Sequence, residues 1–116
     1  MSRASTSANA VDPAAAFAAL GDRTRLAIIT QLRDGQPRSI NWLATRLAAD
    51  TDITRQAVTK HLRVLERAGL VRTRRVGRES QCSFQPEVVA GLRDYLDTVS
   101  RQWEDALTRL KSFVED

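Results

Sequence analysis

The length, composition and charge of the chain limit the kind of protein it can be. With 116 residues, 42% of them hydrophobic, it suffices for one domain with a modest core, and a net charge of +4 favours an anionic partner. One cysteine excludes an internal disulfide, and no apolar run is long enough for a signal sequence or a membrane span, so we expect a cytoplasmic protein.

The positive charge is concentrated in one part of the chain. Residues 55–78 contain eight cations and a single carboxylate, a net charge of +7. Residues 86–116 contain four cations and seven anions, a net charge of −3. This separation predicts an acidic tail and a basic surface of the kind that contacts nucleic acid.

The chain begins with a segment that carries no structural signal. Residues 1–11 are small and polar and lack an apolar period, which predicts a disordered arm. Their one cation, Arg3, leaves contact with a DNA minor groove open as an alternative. A helix follows over residues 12–20, because Asp12 is a typical N-cap and Pro13 a typical first helical residue. Two of its apolar side chains are expected to face inward: Phe17 and Leu20.

Two further helices are predicted before the basic segment. Asp22 caps residues 23–33, whose apolar side chains repeat at helical spacing and form a core face: Leu26, Ile28, Ile29 and Leu32. Ser39 caps residues 40–48, whose apolar side chains follow the i, i+3, i+4, i+7 pattern: Ile40, Leu43, Ala44 and Leu47. Residues 49–53 then form a turn, which we expect Ile53 to anchor in the core.

The helix predicted over residues 54–69 has two different faces. Thr54 can cap its start and Gly69 can end it in the left-handed conformation. Its apolar stripe consists of Val58, Leu62 and Leu65. Amides, hydroxyls and cations lie opposite the stripe or at the helix start, where they can bond base edges and phosphates; the candidate DNA-binding residues are Thr54, Arg55, Gln56, Thr59, Lys60, Arg63 and Arg67. The alternative is an ordinary amphipathic helix with a solvated basic face.

The residues after Gly69 predict a β-hairpin. Two β-prone runs, residues 70–75 and 80–84, flank a turn that contains Gly77. A hairpin directly behind a helix-turn-helix is typical of a wing, and its arginines could reach phosphates or the minor groove: Arg74, Arg75 and Arg78. A basic hairpin that is only solvated remains the alternative.

The last helix, residues 86–115, carries a long apolar seam. Its members repeat at intervals of four and three residues: Leu92, Leu96, Val99, Trp103, Ala106, Leu110 and Phe113. The short helices before it cannot cover such a stripe, so we predict that two copies of the chain pair along it, with Phe17 of the first helix also in the interface. The alternative is that the stripe packs only on its own domain.

Together the elements predict a mainly α fold with a small β-hairpin. We expect a single winged helix-turn-helix domain over residues 12–116, built from five helices and a two-stranded wing. Within it, residues 39–69 are the helix-turn-helix, residues 70–84 the wing and residues 86–115 a dimerisation helix.

The chain resembles the ArsR family of bacterial winged-helix repressors. The resemblance rests on FAALGDRTRLAIITQL at residues 17–32, ITRQAVTKHLRVLERAGLVRTRRVGRES at residues 53–80, and the closing helix. It departs from the family at Arg23, where proline is more usual. The resemblance implies a homodimer joined through the first and last helices, which binds an operator, often that of its own operon, and is released by an inducer. It also implies that Gln56, Thr59, Lys60 and Arg63 read the major groove and that Arg74, Arg75 and Arg78 lie in the wing.

The resemblance does not extend to the metal sites of the family. One such site uses a Cys-x-Cys pair on the third helix, but residues 40–47 contain no cysteine; another uses histidine on the last helix, and residues 91–116 contain none. Trp103 resembles a metal-independent branch. The only histidine and cysteine are His61, expected to pack or to contact phosphate, and Cys82, expected to be an ordinary strand residue. We therefore predict no metal and no cofactor.

The sequence favours a sequence-specific DNA-binding transcriptional repressor over two other hypotheses. It shows no nucleophile–base pair and no phosphate-binding glycine loop, so enzyme activity is not expected. One alternative is a winged-helix protein-interaction module, with the acidic last helix as the docking surface. The other is a sensor that responds to redox state through Cys82 or to a ligand in a pocket at the dimer interface. The inducer and the operator sequence stay open.

Overall fold

The computed structural model describes residues 12–115, so the predicted disordered arm over residues 1–11 lies outside the described residues. In chain order, the elements are α1 Pro13–Leu20, α2 Arg23–Gln31, β1 Arg38–Ser39, α3 Ile40–Ala48, α4 Arg55–Arg67, β2 Val71–Val76, β3 Glu79–Phe84 and α5 Pro86–Glu115. The mainly α class, the five helices and the hairpin of the prediction are confirmed over this range. No helix in this range combines the length and apolarity needed to cross a bilayer.

The first four helices begin at the caps that the sequence predicts. The carboxylates of Asp12 and Asp22 and the hydroxyls of Ser39 and Thr54 each accept a hydrogen bond from the amide three residues further on, at 3.0–3.4 Å. Each bond satisfies a helix-start amide that has no partner within the helix. The second helix ends at Gln31 rather than at the predicted residue 33.

The sheet has three strands, not the two that were predicted. Strand β1 pairs antiparallel with β3, with Arg38 opposite Cys82 and Ser39 opposite Gln81, and the strand order is β1-β3-β2. Two residues are too few to show the alternating pattern that identifies a strand in a sequence. Their extended conformation depends on pairing with residues more than forty positions away, which no local pattern encodes.

The inward faces of α1 and α2 differ from the prediction at Phe17 and Leu26, whereas Leu20 and Ile29 pack against the core as predicted. In α1 the buried residues are Ala16 and Ala19, while Phe17 is 37% exposed and packs its ring against Tyr95 of α5. Small alanines let α1 approach its neighbours closely, and this orientation turns Phe17 away from the core.

In α2 the core is formed by Ile28, with Leu32 directly after the helix, and both are fully buried. Leu26, which was predicted to face the core, is 49% exposed. The apolar positions of α2 are compatible with two overlapping faces, and the packing of α3 and α4 selects one of them.

The helix-turn-helix packs as its patterns predict. Ile40, Leu43 and Leu47 are the buried residues of α3. Val58, Leu62 and Leu65 are those of α4. Ile53, in the connection, packs against the same core cluster from its edge. Because one side of α4 is buried in this way, its orientation is fixed and its opposite side is directed to solvent.

Candidate nucleic-acid interface

The outward side of α4 presents a set of polar and basic side chains. Arg55, Gln56, Lys60, Arg63 and Arg67 are all exposed. Gln56, Lys60 and Arg63 succeed one another at intervals of four and three residues, which places them one above the other along the helix. The amide and guanidinium groups on this line can make the bidentate contacts that distinguish adenine and guanine in a major groove.

The two threonines of the predicted set differ in what they can offer a ligand. The Thr54 hydroxyl accepts the amide of Ala57 at 3.0 Å, which leaves its own hydrogen free to donate to a phosphate oxygen. The Thr59 hydroxyl donates to the backbone carbonyl of Arg55 at 3.0 Å, so it retains only acceptor capacity. Thr59 is also partly buried, whereas Thr54 is exposed. The geometry therefore suits Thr54 to phosphate and Thr59 to a base amino group.

The basic segment keeps its cations free of internal partners. Within residues 12–115, none of its eight basic side chains pairs with a carboxylate; the ion pairs there are Arg38–Asp34 and His61–Asp22, both outside the set. The one carboxylate of the segment, Glu66, instead accepts the backbone amide of Thr73 at 3.2 Å. Unpaired cations attract a polyanion and need break no ion pair to bind it.

The hairpin of β2 and β3 projects more arginines from the domain. Its register runs from Val71 opposite Phe84 to Val76 opposite Glu79. The turn consists of two residues, and the first of them, Gly77, has a φ of 63°, a conformation that favours glycine. Because successive strand side chains alternate, Arg74 and Arg75 lie on opposite faces of the hairpin, while Arg78 lies at its tip; all three are exposed.

Hydrogen bonds fix the backbone at the junction between α4 and the hairpin. Gly69, with a φ of 80°, donates its amide to the carbonyl of Glu66, and Leu70 donates to Leu65, both at 2.9 Å. This pair of bonds is a Schellman motif, and Leu70 is fully buried. Together with the bond from Thr73 to Glu66, the motif fixes the direction in which the hairpin leaves the helix. This role of Glu66 is not visible in the sequence, because no local pattern links it to a residue seven positions on.

His61 takes part in a contact between α4 and α2. Its Nδ1 atom lies 3.3 Å from Nη1 of Arg25 and 3.8 Å from the Asp22 carboxylate. Arg25 also donates from Nε to the Ala19 carbonyl at 2.6 Å, which joins the end of α1 to the same cluster. These contacts support the prediction that His61 packs within its own domain. Within the described residues no three His, Cys, Asp or Glu side chains converge as a metal site would require.

Cys82 is buried in β3 and is not accessible to an oxidant. Its side chain is fully buried, and this burial raises the pKa of the thiol above its ordinary value. Hydrogen bonding with Thr73 acts in the opposite direction, but burial has the larger effect. A protonated, enclosed thiol is a poor nucleophile, which disfavours the redox-sensor alternative.

Along α5, burial by its own chain is deepest near the start of the helix. Leu92 is 4% exposed, while Val99 and Ala106 are partly buried. The other members of the predicted seam are exposed within the single chain: Leu96 51%, Trp103 65%, Leu110 57% and Phe113 81%. An apolar row of this length on one monomer marks an interaction surface.

Comparisons with known proteins agree with this architecture. A family model described as a helix-turn-helix domain matches residues 20–74. The HTH-type transcriptional regulator YuzN of Bacillus subtilis is 42% identical over 80 residues, which cover 67% of this chain and 87% of YuzN.

Solved structures extend the similarity. An ArsR-like transcriptional regulator from Rhodococcus sp. RHA1 superposes with a TM-score of 0.70 at 33% identity, covering 87% of this chain and 91% of that one. The homodimeric winged helix-turn-helix DNA-binding domain of Mb0332 from Mycobacterium bovis, a possible ArsR-family regulator, gives a TM-score of 0.58 at 28% identity, covering 77% and 78%.

The fold and the free basic face thus define a transcriptional regulator with a helix-turn-helix DNA-binding domain. The chain belongs to the ArsR family of these regulators.

Proposed function

We propose that this regulator is a repressor that binds a palindromic operator as a homodimer, without a metal. The observation that carries the proposal is the two-sided α4, with Val58, Leu62 and Leu65 buried and the opposite basic side free of ion pairs within the described residues. In a helix-turn-helix the second helix enters the major groove. We therefore assign base reading to Gln56, Thr59, Lys60 and Arg63, and phosphate contacts to Thr54, Arg55, Arg67 and the wing arginines.

The palindromic form proposed for the operator rests on dimerisation of the protein. The apolar row on α5 is exposed in the single chain, and the same row on a second copy could bury it. Phe17 of α1 is also exposed and would lie beside this interface. The similar Mb0332 domain is homodimeric, which supports the same assembly here. Two α4 helices related by a two-fold axis would enter successive major grooves about 34 Å apart. An operator with two inverted half-sites matches that arrangement.

Metal independence is proposed from the donor groups themselves. A transition-metal site of this family's kind needs several thiolates or imidazoles at fixed spacing. The chain has one of each, and both are held in packed positions, His61 against Arg25 and Cys82 in the sheet. We also propose that the protein is not an enzyme, for a separate reason: the similar proteins are transcriptional regulators.

Footprinting of the DNA upstream of the gene tests the proposal, followed by a salt titration on the protected fragment. If about six phosphates are neutralised, the logarithm of the binding constant falls with the logarithm of salt with a slope of about −5. Protection of two inverted half-sites with such a slope is the expected result. A slope near zero, or an affinity that zinc or a chelator changes, would contradict the proposal.

A further inference from the structure

A second basic cluster lies on residues that neither α4 nor the wing contributes. An open cleft of about 260 Å³ lies between the end of α2, β1 and α3. Three arginines, one indole and one carboxylate line it: Arg33, Arg38, Arg46, Trp42 and Asp34. Counting these charges gives the cleft a net charge of +2.

Trp42 holds two of the arginines in place. The guanidinium carbon of Arg38 lies 4.3 Å from the centroid of the indole ring, and that of Arg46 lies 4.6 Å from it. Cation–π attraction at these distances restricts both side chains before any ligand arrives. Both guanidiniums thus lie at the same indole, and the positive charge that they bring there attracts an anion.

One hydrogen-bond donor of the cleft, Nε of Arg38, has no acceptor within the described residues. Asp34 accepts a bond from Nη2 of Arg38 at 3.1 Å and another from the amide of Gln36 at 3.0 Å. The Gln36 amide first, and the Arg38 side chain after it, lower the pKa of Asp34, so the carboxylate is ionised and already occupied at neutral pH. Nε of Arg38 is nevertheless buried without a partner anywhere in the described part of the chain. Buried N–H groups are seldom left so, which means that Arg38 retains hydrogen-bonding capacity that the described residues do not use.

We propose that this cleft binds a phosphate group, with Arg38 and Arg46 as its cationic partners. Guanidinium forks match the oxygens of a phosphate and bind them in pairs, better than a lysine could. The group can come from two sources. The first helix of a helix-turn-helix crosses the DNA backbone, so it can be a phosphodiester of bound DNA, or it can belong to a free phosphate. The free-phosphate source does not depend on the proposed operator binding.

The first arm of the test uses the full-length protein and inorganic phosphate. The side-chain signals of Trp42 and Arg38 are followed by ¹H–¹⁵N NMR, with the Trp42 indole assigned through Trp42→Phe. Phosphate is expected to shift both signals, whereas sodium chloride at equal ionic strength leaves them in place. Arg46→Gln is expected to weaken the phosphate response about tenfold, since one of two charged partners is lost. Arg93→Gln, the same change on exposed α5, is expected to leave it unaltered.

Asp34→Asn is expected to change the phosphate affinity in the opposite direction, so it controls for a folding defect in the arginine variants. It keeps an oxygen for the Gln36 amide but removes the charge that competes for Arg38. Phosphate affinity is therefore expected to increase, which no general loss of structure could mimic.

The second arm measures the salt dependence of DNA binding. If the source is the DNA backbone, Arg38→Gln and Arg46→Gln should each reduce the slope by about 1 per protomer, and Arg93→Gln should not. A phosphate response in the first arm identifies a free phosphate as sufficient, and an effect in the second arm alone identifies the backbone. The inference is overturned if phosphate acts like chloride and neither arginine variant differs from Arg93→Gln. A protein that binds no DNA refutes the proposed function but leaves the first arm decisive.

Discussion

Gly69 lies where α4, the wing and α5 meet. Its φ of 80° is one that side-chain-bearing residues adopt at a cost, and a Cβ atom there would lie 3.2 Å from Cγ2 of Val88 on α5. Gly35 has nearly the same φ, 79°, but a Cβ atom there would meet nothing within 4 Å. Substitutions at the two glycines can therefore be compared to distinguish the cost of the backbone conformation from the cost of steric crowding.

We expect Gly69→Ala to lower the free energy of unfolding by more than Gly35→Ala does. The shared backbone cost is about 1–2 kcal/mol, and the displacement of Val88 adds to it only at position 69. Urea unfolding of the two variants and the parent protein measures the difference. Equal losses would mean that α5 yields freely at Val88 and that the junction is less rigid than its contacts indicate.

Gln56 and Arg63 lie two helical turns apart on the exposed side of α4. If they read bases, Gln56→Ala and Arg63→Ala should each cost about 1–3 kcal/mol of operator binding and relax the preference at one base pair. Arg74→Ala, in the wing, is the comparison, because a lost phosphate contact weakens binding to all sequences alike. Binding to the operator and to scrambled DNA distinguishes the two classes. Equal loss on both DNAs for Gln56→Ala and Arg63→Ala would show that they are not readers.

At the scale of elements, a hydrogen bond from the Thr73 amide to the Glu66 carboxylate joins the wing to α4. Glu66→Gln removes the negative charge but keeps an acceptor oxygen, whereas Glu66→Ala removes both. The loss of charge beside a basic surface favours DNA in both variants, so their difference isolates the hydrogen bond. We expect Glu66→Ala to bind DNA about three- to tenfold more weakly than Glu66→Gln, as for the loss of one net hydrogen bond.

Hydrogen exchange at the Thr73 amide provides the matching structural measurement. Exchange should be faster in Glu66→Ala than in Glu66→Gln, because only the alanine variant leaves the amide without its acceptor. If the two variants agree in exchange rate and in affinity, the wing is oriented by the Schellman motif alone.

The elements that were predictable are those whose signals are local. Thr54 and Gly69 identify the ends of α4, and the spacing of Val58, Leu62 and Leu65 identifies its buried side. The errors arose where distant packing decides. Leu26 and Ile28 are equally apolar, and only the position of the neighbouring helices exposes one and buries the other.

The candidate site shows the same division. The basic side of α4 and the wing arginines are visible in the sequence because charge density is a property of a short segment. The spacing of Arg38, Trp42 and Arg46, four residues apart each time, was also present in the sequence. The spacing alone does not predict that the three side chains cluster, because Arg38 belongs to a strand and its contact with the indole depends on how β1 leads into α3.

At the scale of the whole molecule, DNA binding and assembly are assigned to different parts of the chain. The basic segment ends at residue 78, whereas the exposed apolar row extends along α5 to Phe113. In the proposed complex one α4 with one wing reads a half-site, and joining two copies would make the second half-site an intramolecular contact. Such a link can raise affinity by about 10²–10⁴.

Leu96→Asp tests that division. Leu96 is 51% exposed in the single chain, so a charge there is tolerated by the fold but would be buried in a dimer; Leu92, at 4%, is unsuitable because its own domain covers it. Thr108→Asp is the control, since about 100° per residue places it about 120° around α5 from Leu96 and outside the apolar row. We expect Leu96→Asp to be a folded monomer that keeps weak, salt-dependent binding to any DNA and loses the tight operator complex. Sedimentation and gel shift on one sample measure both properties. If Leu96→Asp stays dimeric, or if the monomer binds the operator as tightly as the parent protein, the row on α5 serves another partner and the acidic last helix becomes the docking surface to examine.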